Sequence, residues 1–256
     1  MTAAADGMPG TGFQPYHVIG KERASRWLLT CDHASNVVPD FVSGGDLGVA
    51  APDMARHIAY DIGAAGVTRA LASALDCPAI LSNFSRLVID PNRGENDPTL
   101  VMKLYDGTII PGNRQADQAE IQMRLNKLYR PYHTKLAQMA ARRDDTVMVS
   151  IHSFTPQLRA GPPRPWHIGV LYAADTRFAH PLLDRLRAEP DLCVGENQPY
   201  GGHLPGDAIA RHAIAHQRLN VLIELRSDLI ETQEGQRAWA ARLAPMLRDA
   251  LTQTGL

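Results

Sequence analysis

The chain has 256 residues, of which 45% are hydrophobic and 21% charged, enough apolar material for a sizeable core and too much for a disordered chain. Its formal net charge is −1, from 26 Lys+Arg against 27 Asp+Glu, which gives no reason to expect nucleic acid or an anionic membrane as a partner. No run reaches the length of a membrane span, the opening MTAAADGMPGTG lacks the basic and apolar regions of a signal peptide, and Cys31, Cys77 and Cys193 form no CxxC. The expectation is a cytoplasmic protein with reduced thiols.

Residues 1–14 read as a flexible arm and 15–256 as one domain, because no repeat, low-complexity block or linker divides the rest. Residues 26–31 predict a strand, and 52–75 a helix interrupted near Gly63 and Gly66. A second strand spans 77–84. Residues 115–143 predict a long amphipathic helix, with Leu125, Leu128, Tyr132, Leu136 and Met139 near helical spacing. Strands follow at 147–153 and 167–173, a helix at 176–188, a short strand at 192–195 and a helix at 206–216. A strand over 221–225 and a helix over 231–252 close the pattern. Such alternation predicts a mainly parallel central sheet with helices on both faces, and sites beyond the carboxyl ends of its strands.

Those ends carry the chemistry. The first strand runs into TCDHASN, with Asp32, His33 and Asn36. The next segment gives SRLVIDPNRGEND, with Arg86, Asp90, Asn92 and Arg93; the central strand ends VSIHSF, with His152; and the late strand carries IELRSD, with Glu224 and Arg226. A charged residue inside an apolar strand needs a partner or a metal. Two strand-end histidines that converge in space, with a carboxylate or amide added, make a catalytic zinc site with an open position. Zinc lowers the pKa of bound water from about 15.7 to about 7, and a nearby carboxylate such as Glu224 then moves the proton. An arginine beside the site can grip a substrate carboxylate with two parallel hydrogen bonds. HExxH, GxSxG, GxxxxGK and GxGxxG are all absent.

Blander readings exist for each residue. Arg93 could pair with Asp90 or Asp97 in a structural turn, and Glu224 with Arg226. His57, His133, His180 and His216 sit in helical patterns as surface or satisfied residues. His203, in PYGGHLPGD, and more weakly His212, could reach substrate.

Taken in order, TCDHASNVVP, SRLVIDPNRGEND, VSIHSF, GENQPYGG and IELRSDLI resemble the blocks of the N-formylglutamate amidohydrolase family over about residues 27–230. The arrangement is more distantly similar to zinc carboxypeptidases and aspartoacylases. The resemblance implies a phosphorylase/hydrolase-like α/β/α fold, residues 15–256 as one amidohydrolase domain, one Zn2+, and hydrolysis of an amide beside a carboxylate. The implied substrate is a small N-acyl amino acid such as N-formylglutamate. Carried onto this chain, His33 and His152 become metal ligands and Glu224 the general base and acid. Asn92 and Arg93 become the grip on the substrate carboxylate, Arg86 a polariser of the acyl oxygen, and Arg226 an aid to Glu224 or to the grip. The carboxypeptidase-like pattern has glutamate three residues after the first histidine, where this chain has Asn36. A neutral amide is a poor zinc ligand, so the third ligand is expected elsewhere. Asp61 in HIAYDIGA is the first candidate, being acidic among apolar neighbours, and Asp32 another. Two rivals remain: a peptidase or cell-wall-type amidase on the same scaffold, which needs an open groove, and a non-catalytic carboxylate-binding protein, which Asn36 favours.

Overall fold

A computed structural model describes residues 12–202 and 204–256; the expected arm therefore lies outside the described residues up to position 11, as does His203. Just after position 11, Phe13 packs edge-on against Phe41, and the Gln14 carbonyl accepts a bond from Asn83.

The strands are β1 (Tyr16–Ile19), β2 (Trp27–Cys31), β3 (Ala79–Ser82), β4 (Leu104–Tyr105), β5 (Thr108–Ile109), β6 (Val147–Phe154), β7 (Ile168–Leu171), β8 (Val194–Glu196) and β9 (Asn220–Arg226). The helices are α1 (Ala51–Met54), α2 (Ala64–Ala74), α3 (Pro111–Arg114), α4 (Gln118–Arg124), α5 (Arg130–Ala140), α6 (Ala179–Arg187), α7 (Ala208–His212) and α8 (Gln233–Gln253). Seven strands form one sheet in the order β1-β3-β2-β6-β9-β7-β8. β1 is antiparallel to β3 and β7 to β9; the other pairs are parallel.

Side-chain alternation along the strands sorts them into two faces. Val147, Val149 and Ile151 of β6, with Val221, Ile223 and Leu225 of β9, join the core formed with α2, α6 and α8. Met148 and Leu222 turn the other way, toward α5 and α7. The result is three layers, α/β/α. His152 and Glu224 are opposite one another in the β6–β9 register and share the α5/α7 face with Met148 and Leu222. They stand near the carboxyl ends of the two most central strands. β6 leaves the sheet at that edge, and because β7 runs backward against β9, the connecting segment 155–167 stays there.

Several elements differ from the sequence reading. β1 was not expected; it is a half-buried edge strand. The hairpin β4–β5 was also not expected, although its turn, Asp106-Gly107, is the residue pair that a two-residue type I′ turn favours, and both residues have positive φ, 41° and 77°. The long helix contains a π-helical turn, Leu125–Tyr129, between α4 and α5. Pro131 has no N–H to offer the carbonyl of Lys127, and the wider turn falls on that stretch. The five apolar residues named for this helix are nonetheless all buried. The helix expected over 206–216 is confined to α7 and a 3-10 turn, Ile214–His216.

The helix expected over 52–75 splits into α1 and α2, and the gap holds Asp61. Gly63 ends the gap at φ +79°, where a Cβ would lie 2.1 Å from the Ile230 carbonyl oxygen. Gly63→Ala is expected to lower stability by more than the ~1–2 kcal/mol that a left-handed alanine costs, because the backbone at 230 must also move; urea unfolding measures it.

Candidate active site

A cavity of about 460 Å³ opens beyond the carboxyl ends of β6 and β9. Its lining includes His33, Asp61, His152 and Glu224, with Arg86, Asn92 and Arg93 from the segment after β3. Residues as far apart in sequence as His33 and Glu224 thus meet because β2, β6 and β9 are neighbours and end at one edge.

His33 leaves β2 directly, and its backbone carbonyl accepts the Asp61 N–H at 2.9 Å. That bond pins the gap between α1 and α2 against the end of β2. Asp61 Oδ2 then lies 3.3 Å from His33 Nδ1, 2.8 Å from His152 Nδ1 and 3.2 Å from the Ser153 N–H. The far nitrogen of each ring is committed as a donor. His33 Nε2–H donates to Asp90 Oδ1 at 2.7 Å, and His152 Nε2–H points at Asp32 Oδ2 at 3.2 Å. Tyr132 and Ser150 in turn donate to Asp32. Arg86 holds Asp90 through Nη2 at 2.8 Å and Nε at 3.2 Å, and reaches Asp61 Oδ1 at 3.5 Å.

This arrangement fits a metal ion. With both Nε2 atoms donating to carboxylates, both Nδ1 lone pairs face the Asp61 oxygen. With no proton on either Nδ1 these are three acceptors facing one another, and a metal cation between them would satisfy all three. One nitrogen from each ring and one Asp61 oxygen all lie within 4.8 Å of one another, all buried. Around the triad the buried carboxylates of Asp32, Asp61, Asp90 and Glu224 face the buried guanidinium of Arg86, an acidic surplus that a divalent cation would offset. Backing each imidazole with a carboxylate is what metal-bound histidines ordinarily show.

The electrostatics agree. Burial opposes ionisation of Asp61, but His33 and His152 outweigh it and hold the carboxyl far below the usual range. Burial likewise opposes, and Arg86 and His33 overcome, the ionisation of Asp90. His152 is pushed well above its ordinary value, burial notwithstanding, by Asp32 and Asp61; the field that draws a proton there draws a metal cation too. Glu224 goes the other way. Burial pushes its carboxyl up to about 7, with the Asp61 charge adding to the shift and His152 opposing it. Its Oε2 is buried without a hydrogen-bond partner, and its strand neighbour on the other side is Gly169, which has no side chain to offer one.

The acidic group that faces both rings is Asp61, the first candidate for the third ligand. Asp32 sits behind His152. Asn36 is turned away from the triad, donating to the Met54 carbonyl at 2.9 Å. Arg93 pairs with neither Asp90 nor Asp97: it donates to Thr99 Oγ1 and to the Asn92 carbonyl, and forms no ion pair among the described residues. Asn92 lines the cavity and accepts the Ala208 N–H at 3.3 Å. Arg226 is a correction. It shares a strand face with Glu224 by count, but the chain turns into Ser227–Leu229 directly after it. Its guanidinium pairs with Asp228 at 2.8 Å and reaches the carbonyls of Arg164 and Pro165, outside the cavity lining. His212 does not reach the cavity either; it is bonded to His133. His57, Tyr105 and Tyr200 line the cavity and were not foreseen. For Tyr105 the Asp-Gly turn beside it was a usable signal.

A buried acid, two imidazoles and a glutamate with an unpartnered oxygen meet near the carboxyl strand ends of a three-layer α/β fold, and the family match makes the protein a hydrolase. The family is set by comparison: residues 25–231 match the N-formylglutamate amidohydrolase family, and the chain belongs to it. A gene product of Agrobacterium tumefaciens is 34% identical, with a TM-score of 0.88 over 95% of this chain and 97% of that one. The N-formylglutamate amidohydrolase of Ralstonia eutropha shares the fold at 20% identity, with a TM-score of 0.67 over 94% of this chain and 99% of that one. No curated protein matches the chain. No helix among the described residues is long and apolar enough to cross a membrane.

Proposed function

We propose that the protein hydrolyses the amide bond of a small N-acyl amino acid, N-formylglutamate or a near relative, with one zinc ion held by His33, Asp61 and His152. The observation that carries this reading is Glu224, a buried carboxyl with an unpartnered oxygen that lines the same cavity as the triad. A zinc ion there would supply Lewis acidity and make water nucleophilic near neutral pH. Glu224 takes the proton from the attacking water at its free oxygen and returns it to the amide nitrogen as the C–N bond breaks, for which a carboxyl pushed up to about 7 is well matched. Arg86, fixed by Asp90, faces the acyl oxygen as charge develops on it. Arg93, which has no carboxylate of its own, binds the substrate carboxylate, with Asn92 beside it. The products are a carboxylic acid, formate for a formyl group, and a free amino acid.

A cavity of about 460 Å³ is of the size that takes a small ligand, which favours this reading over the peptidase and cell-wall rivals. The test is a screen of N-formyl and N-acetyl amino acids against zinc-loaded protein, reading the released amine. No release from any of them would sink the reading. Within it, Arg93→Ala is expected to raise KM by about 10–100-fold, the loss of a charge-assisted hydrogen bond, with kcat changed far less; an unchanged KM removes Arg93 from the grip.

A further inference from the structure

The turn that carries Asp90, Asn92 and Arg93 is held from outside the cavity by a pair of buried histidines that no step above uses. His133 of α5 and His212 of α7 are 3% and 6% exposed. Their rings stack at 20° with centroids 5.1 Å apart, and His133 Nδ1 lies 2.8 Å from His212 Nε2. The other nitrogen of His133, Nε2, lies 3.0 Å from the Pro91 carbonyl oxygen. A carbonyl can only accept, so His133 carries its proton on Nε2. Its Nδ1 is then an acceptor, and His212 must donate from Nε2. The hydrogen bonds run in one direction: His212 to His133 to Pro91.

A second chain runs parallel to it. Arg211 donates to the Tyr129 hydroxyl at 2.6 Å, and that hydroxyl donates to the Arg93 carbonyl at 2.5 Å. A third contact closes the set, from the Ala208 N–H to Asn92 Oδ1. The carbonyls on either side of Asn92 are thus each held by a side chain of the π-turn and α5 stretch, and each of those is held in turn by a residue of α7. α7 follows the 199–204 segment, and Asp207 and Ile209 line the same cavity.

We infer that His133 and His212 are positioning residues: the pair ties α7 to the Asn92–Arg93 turn and fixes where that turn presents its two side chains to a substrate carboxylate. The inference rests on Arg93 as the carboxylate grip. Polarity makes the chain dependable, because neither ring has a second arrangement that satisfies Pro91. Burial first, and the nearby Arg211 next, push His133 down to about 3 and His212 down to about 4. Both rings therefore stay neutral, and the direction of the bonds stays the same, across the pH range in which the protein would work.

The experiment compares His133→Leu, His212→Phe, His133→Gln and Arg93→Ala in zinc-loaded protein. The readouts are kcat, KM for the N-formyl amino acid cleaved fastest, the Kd of the product amino acid by calorimetry, metal content and thermal unfolding. His133→Leu and His212→Phe are expected to raise KM and Kd about tenfold, the loss of a buried hydrogen bond, with metal content full and kcat nearly unchanged. His133→Gln, whose amide still donates toward Pro91, should recover most of the loss. Unchanged KM and Kd in His133→Leu, with Arg93→Ala weakened, would overturn the inference while leaving the grip intact; an unaffected Arg93→Ala would overturn the grip itself. Lost metal or a fall confined to kcat would also overturn it, because the pair would then act through Asp90 and His33. Should His133→Leu fail to fold, His212→Phe and His133→Gln give the same reading.

Discussion

Glu224→Gln is expected to keep its zinc and to lose about 10²–10⁴-fold of kcat, the usual range for a positioned acid–base group. The amide fills the same space in β9 and leaves His33, Asp61 and His152 untouched, so metal content should match that of the parent protein. What disappears is the oxygen that can take a proton. Turnover close to normal would remove Glu224 from the chemistry. The same variant makes a prediction about stability. Glu224 is raised by burial from 4.5 to about 7 in the folded protein, so the folded state favours the protonated carboxyl. That favourable contribution is complete below about 4.5 and fades as pH rises through about 7. In chelated protein, Glu224→Gln should therefore gain stability relative to the parent as pH goes from about 5 to about 8, read by urea unfolding at each pH.

Asp61→Asn has the other large expected effect: loss of metal and activity together. Asp61 Oδ2 faces both Nδ1 atoms and accepts the Ser153 N–H. An amide in its place offers only a weak neutral donor atom to zinc and brings N–H groups toward two imidazoles. The expected result is zinc binding weakened well beyond the 10–100-fold usual for residues behind a metal ligand, with hydrolysis falling in step; metal analysis after dialysis and a zinc titration measure it. Full zinc occupancy in Asp61→Asn would take the aspartate out of the triad. The two variants separate the two halves of the proposal, since one retains metal without turnover and the other retains neither.

What was readable from the sequence divides along physical lines. The layers and the location of the site were readable because apolar, β-branched runs ended in His33, His152 and Glu224, and strand ends meet at one edge of a parallel sheet. The roles of the acids behind the rings were not. Asp32 is next to His33 in sequence yet backs His152, while the acid that backs His33 is Asp90, 57 positions away. Adjacent strands exchange partners across the sheet, and no one-dimensional spacing carries that. Asp61 stood out only as a charge among apolar neighbours. Its placement depends on a backbone bond to the His33 carbonyl, within a helix break that Gly63 and Gly66 announced but whose extent the sequence did not give. Arg226 failed for the opposite reason: counting by two holds within a strand, and the chain leaves β9 at that residue.

The backward run of β7 has a consequence for how such an enzyme could change its clientele. A parallel successor to β6 would carry the chain away to the far edge through a helix; here the 155–167 stretch never departs. Its Thr155 faces the cavity, Arg159 leans on the Asp106 turn, and Arg164 stacks on Tyr200. Both its ends are anchored in hydrogen-bonded ladders, so residues could be inserted or deleted there without shifting the register of any strand. A change of length in this one stretch would reshape the rim beside Thr155 and leave the strands that carry His152 and Glu224 unchanged.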